Sequence, residues 1–475
     1  MSSRPNPEAD SASTDPASAG RRWRKMLRPI HPNRIRARLH HLANILGWGR
    51  AKHWLKGLRP HDLAATWRFR RAVREAITRR RGEERLTVAV DIAPFWEPLT
   101  GIGWYLYRLL HALADRDDLR LRLYGPGMVD GGWLPEPSVE LPSGPAIEVV
   151  HYRVPDRFVL PRDWFADRWR RFEDRLVAAD ENDVLFAPNF FLPDRFRRCD
   201  GSLVATIHDL TVLVAPETMR ASTRRDLEAR LRGTVESAVM ILTDSEAVRG
   251  EIADRGLKSA DRVRAVPLAP GATVGVDGRV PDDAPARYVL FVGTVEPRKN
   301  LAVLVEGFER FRDGLTDEQR AAGQDIRLVL CGGRGWEREA TEERLAAAEE
   351  AGWLRRYGYL PETELVGLYT SAEWLALPSI YEGFGLPAVE GMAAGVPLLL
   401  ADIPVLREVG GDAALYASPD APEAWAALLR RVLVDEPTVR DEVATASRAR
   451  ASTFTWDRTA DETVAVWRDA AEIGR

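Results

Sequence analysis

Residues 374–400 read WLALPSIYEGFGLPAVEGMAAGVPLLL. Trp374–Leu377 is an uncharged apolar run of strand length. A loop rich in turn formers follows through Gly385, and residues 387–394 carry helix-forming residues. Val396–Leu400 is a second apolar run. Strand, helix and strand within 27 residues point to a parallel βαβ unit, whose strands are buried on both faces and therefore read as continuous apolar runs.

The same alternation extends outward. Upstream lie a strand at Tyr288–Val292, a helix at Leu301–Phe311, a strand at Arg327–Cys331, and a helix at about 337–350. A strand at Tyr357–Leu360 and a helix at about 362–370 complete this series. Before it, Pro281–Pro285 (PDDAP) has the composition of a linker. An earlier series has strands at Leu86–Asp91, Leu119–Tyr124, Ile147–Tyr152, Val184–Ala187, Leu203–Ile207 and Met240–Thr243. Tyr105, Leu106, Leu109, Leu110 and Leu113 share one helical face after the first of these, and further helices are expected at about 164–178, 222–238 and 245–255. The fold class is α/β, with two doubly wound parallel-sheet domains facing a cleft. In such sheets ligands collect beyond the C-terminal ends of the strands.

The bulk properties bound the rest. A chain of 475 residues exceeds one ordinary core. We divide it into a disordered tail (1–20), a basic, partly helical extension (21–85), an N-terminal α/β domain (86–280), a C-terminal α/β domain (286–455) and a C-terminal helix (456–475) packing back on the N-terminal domain. Cys199 and Cys331 are the only cysteines, too few for a disulfide framework or a Cys-based metal site and suited to a reducing cytoplasm. No uncharged apolar run reaches the roughly 18 residues of a spanning helix, and the first 20 residues lack the apolar core of a secretory signal. The net charge of −4 hides an asymmetry. Residues 21–85 carry 20 Lys/Arg against 4 Asp/Glu, a net of +16, and residues 1–20 carry −2, so the remainder carries −18.

Four stretches carry chemistry. In Glu382-Gly-Phe-Gly-Leu-Pro-Ala-Val-Glu390, Gly383 and Gly385 leave backbone accessible to a ligand around Phe384. Pro387 favours a helix start, and the first free amides there, from about Gly385 and Leu386, suit a diphosphate. Glu390 lies about one turn inside that helix, and Glu382 on the loop can face the same pocket. In Phe291-Val-Gly293-Thr294-Val-Glu-Pro-Arg298-Lys299-Asn-Leu, two cations stand at a predicted helix start, where the dipole disfavours them unless an anion is bound. In Ala205-Thr-Ile-His208-Asp209-Leu210 a strand ends in a His-Asp pair, with Asp209 either orienting His208 or capping a turn. In Thr100-Gly101-Ile-Gly103 a tight turn joins the first strand to its helix. Cys331-Gly-Gly333 gives another turn. Asp115-Arg-Asp117 has the form of a metal-binding DxD but sits at a polar helix end, so it reads as solvated surface.

The Glu382–Glu390 string, with Pro-Arg298-Lys299-Asn and His208-Asp209-Leu, resembles the E-x7-E signature of the family 4 retaining glycosyltransferases. The resemblance runs over most of residues 86–475 and is densest from Tyr288 to Asp412. It implies the GT-B fold and a metal-independent, cofactor-free hexosyltransferase acting with retention. The donor would be a nucleoside diphosphate sugar, GDP-mannose first, and the acceptor a glycan or lipid-linked glycan, as in mannosyltransferases of bacterial polysaccharide or lipopolysaccharide assembly. It further implies that Arg298 and Lys299 hold the diphosphate, with Gly101, Gly103, Gly293, Thr294, Gly383, Phe384, Gly385 and Leu386 around the donor. Glu382 would position sugar hydroxyls, Glu390 bind the ribose, and His208 bond the sugar or reaction centre from across the cleft. Two departures stand out. Thr294 occupies a position often held by Arg, leaving open whether Arg298 substitutes or Lys299 acts largely alone. Trp104 replaces another Arg, with Arg108 one turn on as a stand-in.

The extension at 21–85 adds Trp23, Trp48, Trp54 and Trp67 to its charge, with Ile35, Leu39, Leu42 and Leu46 at helical spacing. Cationic amphipathic segments with Trp suit an anionic membrane surface, here the inner face of the cytoplasmic membrane. A solvated extension is the plainer alternative. The acidic body argues against nucleic acid as a partner. For the whole chain, a nucleotide-sugar 2-epimerase of the same architecture and an inactive sugar-binding scaffold are the competing readings.

Overall fold

The computed structural model describes residues 85–96, 99, 101–125, 129–130, 137–150, 152–153, 182–193, 196, 199, 201–219, 221–271, 277–320, 326–333, 335, 337 and 339–474. The expected tail, the basic extension and the helix at about 164–178 lie outside the described residues.

The first half contributes β1 (Leu86–Asp91), α1 (Gly101–Leu113), β2 (Leu119–Tyr124), β3 (Val129–Asp130), β4 (Ile147–Val149), β5 (Tyr152–Arg153), β6 (Val184–Ala187), β7 (Ser202–Ile207), α2 (Ala221–Ser237), β8 (Met240–Thr243), α3 (Glu246–Asp254) and β9 (Val263–Ala265). Seven of these strands form a parallel sheet in the order β4-β2-β1-β6-β7-β8-β9, and β3 pairs with β5 apart from it. The second half contributes β10 (Tyr288–Val292), α4 (Leu301–Asp313), β11 (Arg327–Cys331), α5 (Glu339–Glu350), β12 (Leu354–Tyr357), α6 (Glu362–Ser371), β13 (Trp374–Leu377), α7 (Leu386–Ala393), β14 (Leu398–Ala401), α8 (Pro404–Gly410), β15 (Ala414–Ala417), α9 (Pro422–Arg430), α10 (Val439–Ala451) and α11 (Trp456–Ile473). Its six strands are again parallel, ordered β12-β11-β10-β13-β14-β15. All described residues fall in one unit.

In both sheets the order reverses beside the first strand, between β1 and β6 and between β10 and β13, where Val88 pairs with Val184 and Leu290 with Leu375. Helices cannot cover both sides of a reversal, so each sheet leaves a crevice at its C-terminal edge there. The strands flanking it are apolar because both faces are buried: Tyr288–Val292 and Trp374–Leu377 are buried along their whole length.

The α11 helix returns to the first sheet. Trp467 is fully buried with its ring 5.0 Å from Phe186, and Trp456 Nε1 donates to the Pro270 carbonyl at 3.0 Å. Arg116 on the first half pairs with Asp461 at 2.5 Å. These contacts tie the end of the chain to the opposite half.

Several boundaries differ from those expected. The strand expected at Tyr357–Leu360 lies three residues earlier, as β12 at Leu354–Tyr357, and the chain bends at Tyr359. This edge strand carries Arg355 and Arg356, which conceal it from a search for apolar runs. The strand expected at Val396 starts at Leu398, because the Val396 N–H closes back on the Gly391 carbonyl over left-handed Gly395 (φ 78°) and so ends the preceding helix. The strand expected at 147–152 divides into β4 and β5. The edge strands β9 and β15 are additions.

Candidate functional site

The loop after β10 and the loop after β13 meet at the switch point of the second sheet. After β10 the chain makes a tight 3-10 turn, Pro297–Lys299, then Asn300 in the left-handed region (φ 57°), and only then does α4 begin. The two cations therefore precede the helix instead of starting it. Asn300 is held in its unusual conformation by its side-chain amide, which donates to the carbonyls of Pro378 (3.0 Å) and Pro419 (2.7 Å). That bond stitches the cation turn to the loop after β13.

The anion facing Arg298 and Lys299 is Glu382. Lys299 Nζ donates to Glu382 Oε1 at 2.6 Å, Ser379 Oγ to the same oxygen at 2.7 Å, and Arg298 Nη1 to Oε2 at 2.9 Å. Arg298 Nη2 also donates to Glu296 at 2.7 Å. Glu382 is 5% exposed. Burial alone would push its carboxyl up, but Lys299 and Arg298 together outweigh burial and hold it at about 2. The two cations thus have protein carboxylates beside them, Glu382 against both and Glu296 against Arg298, and Glu382 faces the cation turn instead of standing alone on its loop.

Beyond Glu382, Gly385 takes a left-handed conformation (φ 91°) as the N-cap of α7, with Pro387 in its first turn. A helix start leaves its first amides without intrahelical partners, here at Gly385 and Leu386. Glu390, one turn on, is half-buried. Its carboxylate accepts from the Tyr369 hydroxyl at 2.9 Å and from the Gly271 N–H. Burial pushes it up to about 7, with Glu362 adding to the effect and the Tyr369 and Gly271 bonds opposing it. Arg108 on α1 pairs across to Glu362 on α6 at 3.3 Å.

The first half closes on this loop. A Cβ on Gly383 would lie 1.9 Å from the His208 carbonyl oxygen, so only glycine lets the two backbones approach this closely. Ser245 Oγ donates to the Gly383 carbonyl at 2.7 Å, and the Tyr381 hydroxyl accepts the Leu210 N–H (2.9 Å) while donating to Glu251 (2.8 Å). The Glu408 carboxylate accepts the N–H groups of Glu246 and Ala247 at the start of α3, at 2.8 and 2.9 Å.

His208, one residue past β7, places Nδ1 2.7 Å from Asp244 Oδ2 and Nε2 2.9 Å from the Pro188 carbonyl. Burial works against its charge, but Asp244, the Pro188 carbonyl and Asp209 outweigh burial and raise it above the ordinary imidazole range. Asp209 is not the orienting partner; it caps Thr211 N–H at 2.9 Å. Asp244, Ser245, Glu251, Tyr369, Tyr381, Ser379 and Glu408 were missed by sequence reasoning because most of them gain a role only from partners more than 20 residues away.

The other expected residues are scattered more loosely. Gly293 and Gly332 approach so closely that a Cβ on Gly332 (φ 149°) would meet the Gly293 carbonyl at 2.2 Å. Beside them, at the C-terminal ends of β10, β11 and β12, opens a cavity of about 150 Å³ that also touches Cys331, Tyr357 and Gly358. The Cys331 thiol is pushed up to about 12 by burial and is unreactive. Phe384 is buried against Phe454, 5.8 Å between centroids. Thr294 is exposed, Gly101 is exposed, and Gly103 is buried against Leu99. Asp115 and Asp117 are exposed, and among the described residues no group of three acidic, His or Cys side chains is placed to hold a metal. No described helix is long and apolar enough to cross a membrane.

The pattern of the family "Glycosyl transferases group 1" matches residues 280–450, the half that carries Arg298, Lys299, Glu382 and Glu390. Over 392 residues the chain is 32% identical to O-antigen chain mannosyltransferase B of Escherichia coli, covering 79% of this chain and 97% of that protein. The chain belongs to the group 1 glycosyl transferases. A second relative of this transferase, the serotype-specific mannosyltransferase WbdA of Escherichia coli, is 27% identical over 54% of this chain and 34% of its own length. Among solved structures, sucrose-phosphate synthase from Thermosynechococcus elongatus superposes with a TM-score of 0.59 at 19% identity, over 81% of this chain and 99% of its own. Anabaena HepE in complex with UDP and glucose gives 0.54 at 13% identity, over 81% and 100%. The fold is GT-B, and the group 1 transferase places its matched motif on the second sheet's switch point.

Proposed function

We propose that this glycosyltransferase moves mannose from GDP-mannose to a hydroxyl of a glycan or lipid-linked glycan in polysaccharide synthesis, with retention of configuration and without a metal. The observation that carries the reading is the meeting, at one switch point, of the Arg298–Lys299 turn with the free amides that begin α7. Together they offer a diphosphate two cations and a helix N-terminus. The choice of mannose is supported by the names of the two Escherichia coli relatives.

In this reading the bond between the anomeric carbon and the diphosphate oxygen breaks while the acceptor oxygen bonds to the same face of that carbon. The acceptor proton passes to the departing phosphate oxygen, so no protein nucleophile is needed. Lys299 and Arg298 stabilise the charge on the leaving group, and Glu382 holds both cations in place against each other's repulsion. Glu390 receives the ribose hydroxyls, and His208 lies on the sugar's far side. The closed contact between Gly383 and His208 excludes water and limits hydrolysis. The protein works on the cytoplasmic side, and residues 21–85 bring it to an anionic membrane surface.

The test is a screen of nucleotide sugars by thermal shift, followed by acceptor-dependent release of nucleoside diphosphate. GDP-mannose should give the largest shift and turnover. Conversion of a UDP sugar to its 2-epimer in the absence of acceptor would favour the epimerase reading, and nucleotide binding with no turnover on any acceptor would favour the scaffold. Co-sedimentation with anionic vesicles, with and without residues 21–85, tests the membrane contact.

A further inference from the structure

We infer that Asp244 is a positioning residue for His208: from the end of β8 it fixes the imidazole between two neighbouring strand ends, leaving neither ring nitrogen to bond a substrate in the closed cleft. The inference rests on the placement of His208 beside the donor sugar.

Of three adjacent strands of the first sheet, β7 and β8 end opposite each other (Ile207 beside Thr243) and β6 ends two residues short (Ala187 beside Ala205), and the residue after each contributes one partner: Pro188, His208 and Asp244. A backbone carbonyl can only accept, so His208 Nε2 must carry a hydrogen and donate it to Pro188. Nδ1 then faces a carboxylate at 2.7 Å whose side chain is 5% exposed. One proton lies between those two atoms, and neither partner can lose it without leaving a buried group unsatisfied. The pair thus keeps two protons in a fixed geometry.

The surroundings favour this arrangement from each packed element. On the same segment Asp209 adds negative charge. From α1 the Tyr105 ring meets the imidazole edge-on at 5.1 Å between centroids, and its own hydroxyl bonds Thr206 at 3.2 Å. From the second half Gly383 presents backbone only, seated on the His208 carbonyl. Asp244 therefore acts at two removes. It holds the ring, the ring holds the end of β7, and the end of β7 is the surface on which the Glu382 loop closes. What His208 offers the cleft is a rigid seat, and the partner that sets it is Asp244 and not the adjacent Asp209.

The experiment compares full-length wild type, Asp244→Asn and Asp209→Asn by nitrogen NMR of the His208 ring, assigned with His208→Gln, and by the pH profile of sugar transfer. We expect Asp244→Asn to release the Nδ1 proton about ten times more readily, with the alkaline limb of the transfer profile moving to lower pH in step, and Asp209→Asn to move the ring titration less. A wild-type His208 titration in Asp244→Asn, or a larger shift in Asp209→Asn, overturns the inference. If Asp244→Asn fails to fold, Asp244→Glu keeps the charge and should keep the proton; its release at the ordinary pH of a free imidazole overturns the inference equally. The NMR measurement needs no substrate. Normal transfer by His208→Gln would instead overturn the placement of His208 at the sugar.

Discussion

Lys299 Nζ and Glu382 Oε1 lie 2.6 Å apart at the switch point of the second sheet, both buried, so the lysine and the glutamate of the two matched motifs form one ionic unit. Removing either member has consequences for folding as well as for turnover. Glu382→Ala leaves Lys299 and Arg298 without their shared anion, a change that costs about 3–5 kcal/mol when a buried pair is broken on one side. We expect a markedly lower Tm together with loss of transfer. Lys299→Ala leaves Glu382 its bonds from Arg298 and Ser379, so the melting point should fall less while transfer is still lost. Calorimetry and a product-release assay on the two variants check this, and equal melting points would contradict it.

The same unit sets the acid limit of stability. Glu382 is held at about 2, against an ordinary 4.5, so its contribution is complete above pH 4.5 and is lost as the pH falls towards 2. The gap corresponds to a contribution on the order of 3 kcal/mol. Denaturant titrations between pH 5 and pH 2.5 should show that loss in wild type and its absence in Glu382→Gln, which is already destabilised at pH 7.

Glu390 works in the opposite direction. Its folded value of about 7 lies above the ordinary 4.5, so its contribution is complete below pH 4.5 and is lost as the pH rises through 7. Glu390→Gln should remove that slope and raise the melting point of the ligand-free protein at pH 8 relative to wild type. It should also weaken donor binding if the ribose rests there. Thermal melts from pH 5 to pH 8.5, with and without nucleotide, separate the two effects.

Gly383→Ala should fail to close. The added carbon would meet the His208 carbonyl at 1.9 Å, and both partners are backbone, so neither can rotate away. The fold of each half has no reason to change, but the halves must part, and a misplacement of about 1 Å can cost roughly a hundredfold in rate. Small-angle scattering should show a larger radius of gyration alongside the lost turnover. A wild-type radius with wild-type rate would refute the closed contact.

Tyr381→Phe tests the neighbouring bridge. It strips the acceptor from the buried Leu210 N–H and the donor from Glu251, costing about 1–3 kcal/mol for the unsatisfied amide. Amide exchange at Leu210 should quicken by at least tenfold, and the donor KM should rise because the Glu382 loop loses its anchor.

Much of this architecture was legible from residue order. Parallel strands buried on two faces leave uninterrupted apolar runs, and that is why Trp374–Leu377, Tyr288–Val292 and Val184–Ala187 were placed as the structure has them. Edge strands lack that signal. In β12 Arg355 and Arg356 face their own surroundings, and the apolar Tyr-Leu after Gly358 drew the expected strand three residues too far. At the candidate site, sequence singled out Arg298, Lys299, Glu382, Glu390 and His208 from strand ends and the helix starts after them, and the fold brings Arg298, Lys299 and Glu382 into direct contact.

Sequence by itself therefore determined the two α/β halves, the motif at 382–390 and the strand ends on which Arg298, Lys299 and His208 follow, all of which depend on local spacing. Only the tertiary structure decided who pairs with whom. It gave Lys299 and Arg298 to Glu382, 83 and 84 residues away, His208 to Asp244 and Pro188 in place of Asp209, and Arg108 to Glu362. The physical reason is that a charge is neutralised by whatever the fold brings within about 3 Å, and in a doubly wound sheet neighbours in space are separated in sequence by a whole crossover.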